Sequence, residues 1–295
     1  MYTIEKHTNF LELKDAQGFS KAQISLNEGG RLKNLSFNNS AIINDDLQTS
    51  YQKSYASSIL FPFANRIENG IYLFEEKKYR LDCNQGKNAI HGLVFDKKFE
   101  LINQKTNQKS CTVTLNYTEK KGVEGFPFLY EIFLRYKLSK ESLSVSVIVK
   151  NIDKNSFPFT IGWHPYFASE DLTNSKIAFK SQKKVVFDEN LITKNLVEYR
   201  KKMDLKIANK SLDTCYELKG NKVTFETPKY AVKISTNKKE NFLQLYTPAN
   251  RKTIAIEPMT GISNSFNNKI GLQILAPNQE YKIKWKVHFK KIKIN

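Results

Sequence analysis

The chain of 295 residues is short of the side chains that most catalytic centres are built from. It has four histidines, three cysteines and six arginines. Cys83, Cys111 and Cys215 are far apart and odd in number, which fits neither a disulfide framework nor a CxxC metal site, so a reducing compartment is the simpler expectation. HxH and HExxH pairs are missing, which disfavours a metal centre. A GxSxG nucleophile elbow and a phosphate-cradling glycine loop are missing too. No run approaches eighteen apolar residues, so no membrane helix is expected. Residues 1–10 carry Glu5, Lys6 and His7 in place of an apolar stretch, so no signal peptide is expected and the cytoplasm is the default.

Positive charge is in excess: 47 basic residues against 29 acidic ones give a net +18. An anionic partner is one reading of that number. The basic residues, however, are scattered in pairs (77–78, 183–184, 201–202, 238–239), with a modest cluster at 282–293. They do not alternate with aromatics in a stripe, as a nucleic-acid groove requires. A solvated basic surface is the expectation, with no nucleic-acid partner and no membrane partner.

Helical periodicity is also lacking. Almost every segment alternates apolar and polar residues at period two: 21–26, 31–37, 111–117, 130–138, 143–149, 231–234, 242–246 and 281–289 are examples. Residues 71–74 and 78–81 read as the arms of a hairpin. Recurrent alternation with polar turns predicts an all-β protein, a large antiparallel sandwich with few short helices. With no linker, repeat or low-complexity tract, residues 1–295 are expected to form one domain. The segment 188–218 alternates poorly and reads as long connections over one face.

Against that background a few polar residues stand out. His164 lies in Ile161-Gly162-Trp163-His164-Pro165-Tyr166-Phe167, where the following proline holds it extended among aromatics. Arg66 sits among Phe61-Pro62-Phe63 and the turn at Gly70, either as a hydrogen-bond donor to ligand hydroxyls or as a salt-bridge partner of Glu68. His91 precedes Gly92, a pairing that can expose an imidazole at a loop tip. Glu257 precedes Pro258 at what reads as the end of an apolar strand; it is either a desolvated base or an exposed strand end. Asp213 is a lone carboxylate in the irregular segment, and 125–128 reads as an aromatic turn of the core. A cation, two imidazoles and a carboxylate suit proton transfer, and no cofactor is implied.

The order of these motifs resembles the aldose 1-epimerase (galactose mutarotase) family. Phe-Ala-Asn-Arg-Ile-x-x-Gly at 63–70, His-Gly at 91–92, Gly-Phe-Pro at 125–127, His-Pro-Tyr-Phe at 164–167 and Glu-Pro at 257–258 follow its pattern across residues 20–290. The resemblance implies a β-supersandwich that binds a free aldohexose and interconverts its α and β anomers without a cofactor. It implies Glu257 as base and His164 as acid, with Asn65, Arg66, His91 and Asp213 holding the sugar. Residues 261–267 match the family only loosely. Two alternatives share the fold: a hexose-6-phosphate 1-epimerase and a non-catalytic carbohydrate-binding protein.

Overall fold

The computed structural model describes residues 1–45, 49–238 and 241–292. Lys239 and Lys293, members of two of the basic groups, lie outside those residues. The expected architecture is present: strands dominate, and among the described residues the helices are two four-residue α-turns, Tyr51–Ser54 and Ser265–Asn268, and a 3-10 turn, Glu68–Gly70.

The strand Asp213–Glu226 organises the rest because its two halves pair differently. Its far half, from Lys222, pairs with Tyr230–Thr236; its near half, up to Glu217, pairs with Phe242–Tyr246. Two antiparallel layers diverge from it. One continues through Tyr230–Thr236, Glu280–Lys291, Ser142–Asn151, Tyr130–Ser139, Ser110–Glu119 and Glu100–Thr106. The other runs through Phe242–Tyr246, Thr253–Met259, Tyr166–Ala168, Ser40–Ile43 and the N-terminal strands. Trp163 from the second layer stacks on Trp285 from the first, with ring centroids 6.1 Å apart and both rings buried.

Period-two alternation explains both the core and the charge. In Glu280–Lys291, Ile283, Trp285, Val287 and Phe289 are buried while Lys282, Lys284, Lys286 and Lys290 face solvent. The basic cluster there is the outer face of a core strand. Phe126 and Phe128 of the aromatic turn are buried against Phe157. The short hairpin is Ile71–Phe74 with Lys77–Arg80.

Segment 188–218 departs from expectation. It is largely strand: Thr193–Lys206 pairs along its length with Lys176–Phe187, and Asp213–Glu226 begins inside the segment. Among the described residues, Thr193–Lys206 has a strand neighbour on one side only, and no residue in it is fully buried. Leu196, Tyr199, Met203 and Leu205 pack partly against the core, but a register shift opposite Ser181–Lys183 throws them out of step, so clean alternation is absent. Lys194, Lys201, Lys202 and Lys206 give the open edge a charge that discourages further pairing.

Candidate active site

Three strands of the second layer bring polar groups to one face. Glu257 lies within Thr253–Met259, whose seven residues are all buried; it is mid-strand, not at a strand end. Gln244 stands opposite it in register on Phe242–Tyr246, and Cys215 stands opposite Gln244 on the next strand. Asp213, two residues from Cys215, shares its face, and Gln244 Nε2 donates a 2.6 Å hydrogen bond to Asp213 Oδ1.

The imidazoles arrive from loops. His164 sits between Gly162–Trp163 and Tyr166–Ala168, and the chain segment after Tyr51–Ser54 brackets its backbone: Ser57 N–H donates to the His164 carbonyl (2.9 Å) and His164 N–H to that of Ser58 (3.1 Å). Its ring stacks on Tyr166, and its Nε2 lies 3.4 Å from Glu257 Oε1. His91 meets His164 edge to face, with centroids 5.0 Å apart, and also packs on Tyr55. It is therefore buried, not exposed at a loop tip. Gly92 explains why: its Cα lies against the Phe61 backbone so closely that any side chain would collide there, and this contact draws the His91 turn inward.

Arg66 is held by its neighbour. The pair Arg66–Ile67 is bound to Ala89–Ile90, and Asn65 Oδ1 accepts from Arg66 Nη1 at 3.1 Å. Among the described residues Arg66 has no ion-pair partner; Glu68 instead accepts from Asn264 Nδ2. The guanidinium is left free to donate into the cavity.

All six candidate residues line one cavity of about 590 Å³, with Gln244, Tyr55, Tyr166, Tyr246 and Leu191 beside them. Lysine and arginine are represented in its lining by Lys53 and Arg66. Four of the lining residues, Tyr55, Asn65, His91 and Leu191, have left-handed backbones (φ 52°, 61°, 63° and 59°). Each costs on the order of 1 kcal/mol for a residue with a side chain, and such strain concentrates where function requires it. Buried His91 Nδ1, His164 Nδ1, Gln244 Oε1 and Glu257 Oε2 have no hydrogen-bond partner among the described residues. Several unpaired polar atoms in one cavity suit a ligand rich in hydroxyl groups.

Burial dominates the electrostatics. It raises Glu257 well above the ordinary carboxylate range; Asp213 adds to the effect and Arg66 opposes it. Burial pushes His164 down to about 4. It lowers His91 far below the usual histidine value, with His164 and Arg66 adding to that. Partial burial raises Asp213, against the pull of Arg66 and Gln244. Burial also lowers Arg66, with Asp213 and Glu257 opposing. Burial thus disfavours the charged form of both partners, raising Glu257 and lowering His164.

The family model for aldose 1-epimerase matches residues 10–288. The chain belongs to that family. It is 24% identical over 275 residues to the uncharacterized protein YihR of Escherichia coli, covering 88% of this chain and 87% of that one. Against the galactose mutarotase of Bos taurus it is 26% identical over 154 residues, which is 50% of this chain and 44% of the bovine protein. The solved structure of a galactose mutarotase-like protein from Clostridium acetobutylicum superposes with a TM-score of 0.87 at 20% identity, covering 99% of both chains; at that identity it bears on the fold alone.

The cavity carries groups that sequence reading passed over, Gln244 first among them. Gln244 lies in the buried run Phe-Leu-Gln-Leu-Tyr. A lone amide within an apolar strand is the signal that could have found it, because a buried polar residue is the informative exception. Leu191 gave no such signal. Among the described residues, no three His, Cys, Asp or Glu side chains are grouped as metal ligands, and no helix is long and apolar enough to cross a membrane.

Proposed function

We propose that this protein is an aldose 1-epimerase that interconverts the α and β anomers of an aldohexose with a free anomeric centre. The observation that carries this reading is the buried His164–Glu257 pair, 3.4 Å apart in a cavity of sugar-binding size with unpaired polar atoms around it. The two oxygens on C1 of a pyranose, the hydroxyl and the ring oxygen, are neighbours. An acid and a base that serve them must converge on almost the same point.

Glu257, as carboxylate, takes the proton of the C1 hydroxyl while His164, as imidazolium, protonates the ring oxygen. The C1–O5 bond breaks and the open-chain aldehyde forms. Rotation about C1–C2 presents the other carbonyl face, and reclosure with the two proton transfers reversed gives the other anomer. The pair needs one proton in all. Ring opening leaves that proton on Glu257, and reclosure returns it to His164, so the pair is restored at the end of each turnover. Arg66, His91, Asn65, Asp213 and Gln244 hold the ring oxygen and hydroxyls, and each positioned proton transfer is worth about 10²–10⁴ in rate. We also read residues 1–295 as one domain, since the strand Asp213–Glu226 belongs to both layers.

A phosphosugar fits less well: of the six arginines only Arg66 lines the cavity, joined by Lys53 at its edge. A binding protein without catalysis would have no need for an acid and base at this separation. The deciding experiment is polarimetry of freshly dissolved α-glucose and α-galactose with and without the protein. Faster approach to the same final rotation is expected. No acceleration with either sugar, or with glucose 6-phosphate, would overturn the enzymatic reading.

A further inference from the structure

Leu191 occupies a backbone conformation that leucine avoids. It sits in the turn between the strands Lys176–Phe187 and Thr193–Lys206 with φ of 59°. Five hydrogen bonds hold that turn. Asp188 N–H donates to the Ile192 carbonyl (2.9 Å), and Leu191 N–H to that of Asp188 (3.1 Å). Asp188 Oδ1 accepts from the N–H groups of Asn190 (2.9 Å) and Ile192 (2.8 Å). Ser263 Oγ, from a different part of the chain, donates to the Leu191 carbonyl at 2.9 Å. None of these bonds involves the leucine side chain. Glycine or asparagine would make all of them without strain.

What leucine alone contributes is an isobutyl group, and Leu191 lines the cavity. The anchor fixes where it stands. Ser263 precedes Asn264, whose N–H donates to the Arg66 carbonyl at 2.6 Å, so the turn is tied to the segment that carries Arg66. Most of the lining is polar or aromatic; Leu191, like Ile90, Pro248 and Ala249, offers a saturated surface, and it alone of these four does so from a left-handed backbone. A backbone held against its own preference, with an aliphatic group at a cavity that also carries hydrogen-bonding groups, is the pattern expected where strain is retained for function.

We propose that Leu191 is a specificity-determining residue, the apolar wall on the Arg66 side of the cavity against which the C–H face of the bound aldose packs. This rests on the aldose reading above and adds to it which part of the substrate the hairpin turn recognises. Polar groups opposite then reach the hydroxyls only of sugars that present an apolar face to this wall.

The test is Leu191→Gly, compared with the wild-type protein for galactose and glucose binding by calorimetry, for anomer interconversion, and for melting temperature. Dissociation constants and KM are expected to rise about tenfold or more for the better-bound sugar. The melting temperature should hold or rise, because glycine relieves the left-handed strain. Unchanged binding in the variant would overturn the role of Leu191. If the melting temperature falls together with affinity, Ser263→Ala decides, since it loosens the turn and leaves the leucine in place. Weaker sugar binding in that variant supports the wall, and unaltered binding overturns it. A wild-type protein that neither binds nor interconverts either sugar overturns the aldose reading itself, which separates the two failures.

Discussion

Gln244 stands between the strands of the two carboxylates of the cavity: it is in register opposite Glu257 and donates a 2.6 Å hydrogen bond to Asp213. An amide with a donor and an acceptor end can hold one carboxylate while its unpaired Oε1 remains available to a substrate hydroxyl. Gln244→Leu keeps the size and apolar packing of the strand but removes both functions. KM for the preferred aldose is expected to rise by about one to two orders of magnitude, the scale of a lost hydrogen bond to a charged group at about 1.5–3 kcal/mol. Steady-state polarimetry over a range of sugar concentrations reads the change, and an unaltered KM would remove Gln244 from the site.

Glu257→Gln retains shape and neutralises the base. The rate of anomer interconversion should fall by about 10²–10⁴, while sugar affinity stays within a few-fold by calorimetry. Because the carboxyl is already disfavoured as an anion by burial, the amide should leave the fold intact. A variant turning over at near the wild-type rate would assign the base elsewhere.

His164→Asn should also cost orders of magnitude in kcat, whereas Asp213→Asn should act mainly on KM, since Asp213 is hydrogen-bonded to Gln244 while His164 faces Glu257. Equal small effects in the two variants would show that the roles are misassigned.

The pH dependence follows from the direction of each shift. Burial takes His164 from 6.5 to about 4. The acid limb of kcat/KM, which reports the free protein, is therefore expected near 4 and not near 6.5. Stability has the same origin. Between 6.5 and about 4 the unfolded chain carries a proton on this residue that the folded chain refuses, so its contribution is complete above 6.5 and is lost as pH falls. His91, lowered by the same burial, acts in the same direction. Glu257, raised, acts in the opposite one: its contribution is present below its unfolded value of 4.5 and is lost as pH rises through its folded value. Thermal melts of wild type and His164→Asn should differ most on the acid side, the variant declining less steeply. Parallel curves would mean that His164 is solvated.

Gly92→Ala tests the contact that turns His91 inward. Gly92 has φ of 79° and its Cα abuts the Phe61 backbone, which cannot give way as a flexible side chain would. A loss of more than about 2 kcal/mol is expected, as for other forced backbone clashes. Denaturant unfolding measures it.

The chain's own order of residues determined a great deal. Period-two alternation in segments such as 143–149 and 281–289 is enough for an antiparallel all-β sandwich, because each such strand must bury one face. The motifs around His91, His164 and Glu257 were readable because each of these stands next to proline or glycine, and Arg66 because it is one of six arginines, lying between Pro62 and Gly70. The strand at 193–206 was not readable, since its few apolar residues are only partly buried and a register shift puts them out of step. Nor could sequence tell whether Glu257 was an exposed strand end or a desolvated base, or whether His91 pointed outward. Those depend on Phe61, Tyr55 and Thr253–Met259 closing around them from distant parts of the chain. Tertiary structure alone brought His164 within 3.4 Å of Glu257 and set Gln244 and Leu191 in the same cavity, because cross-strand register and a turn's anchor are properties of pairing, not of neighbours along the chain.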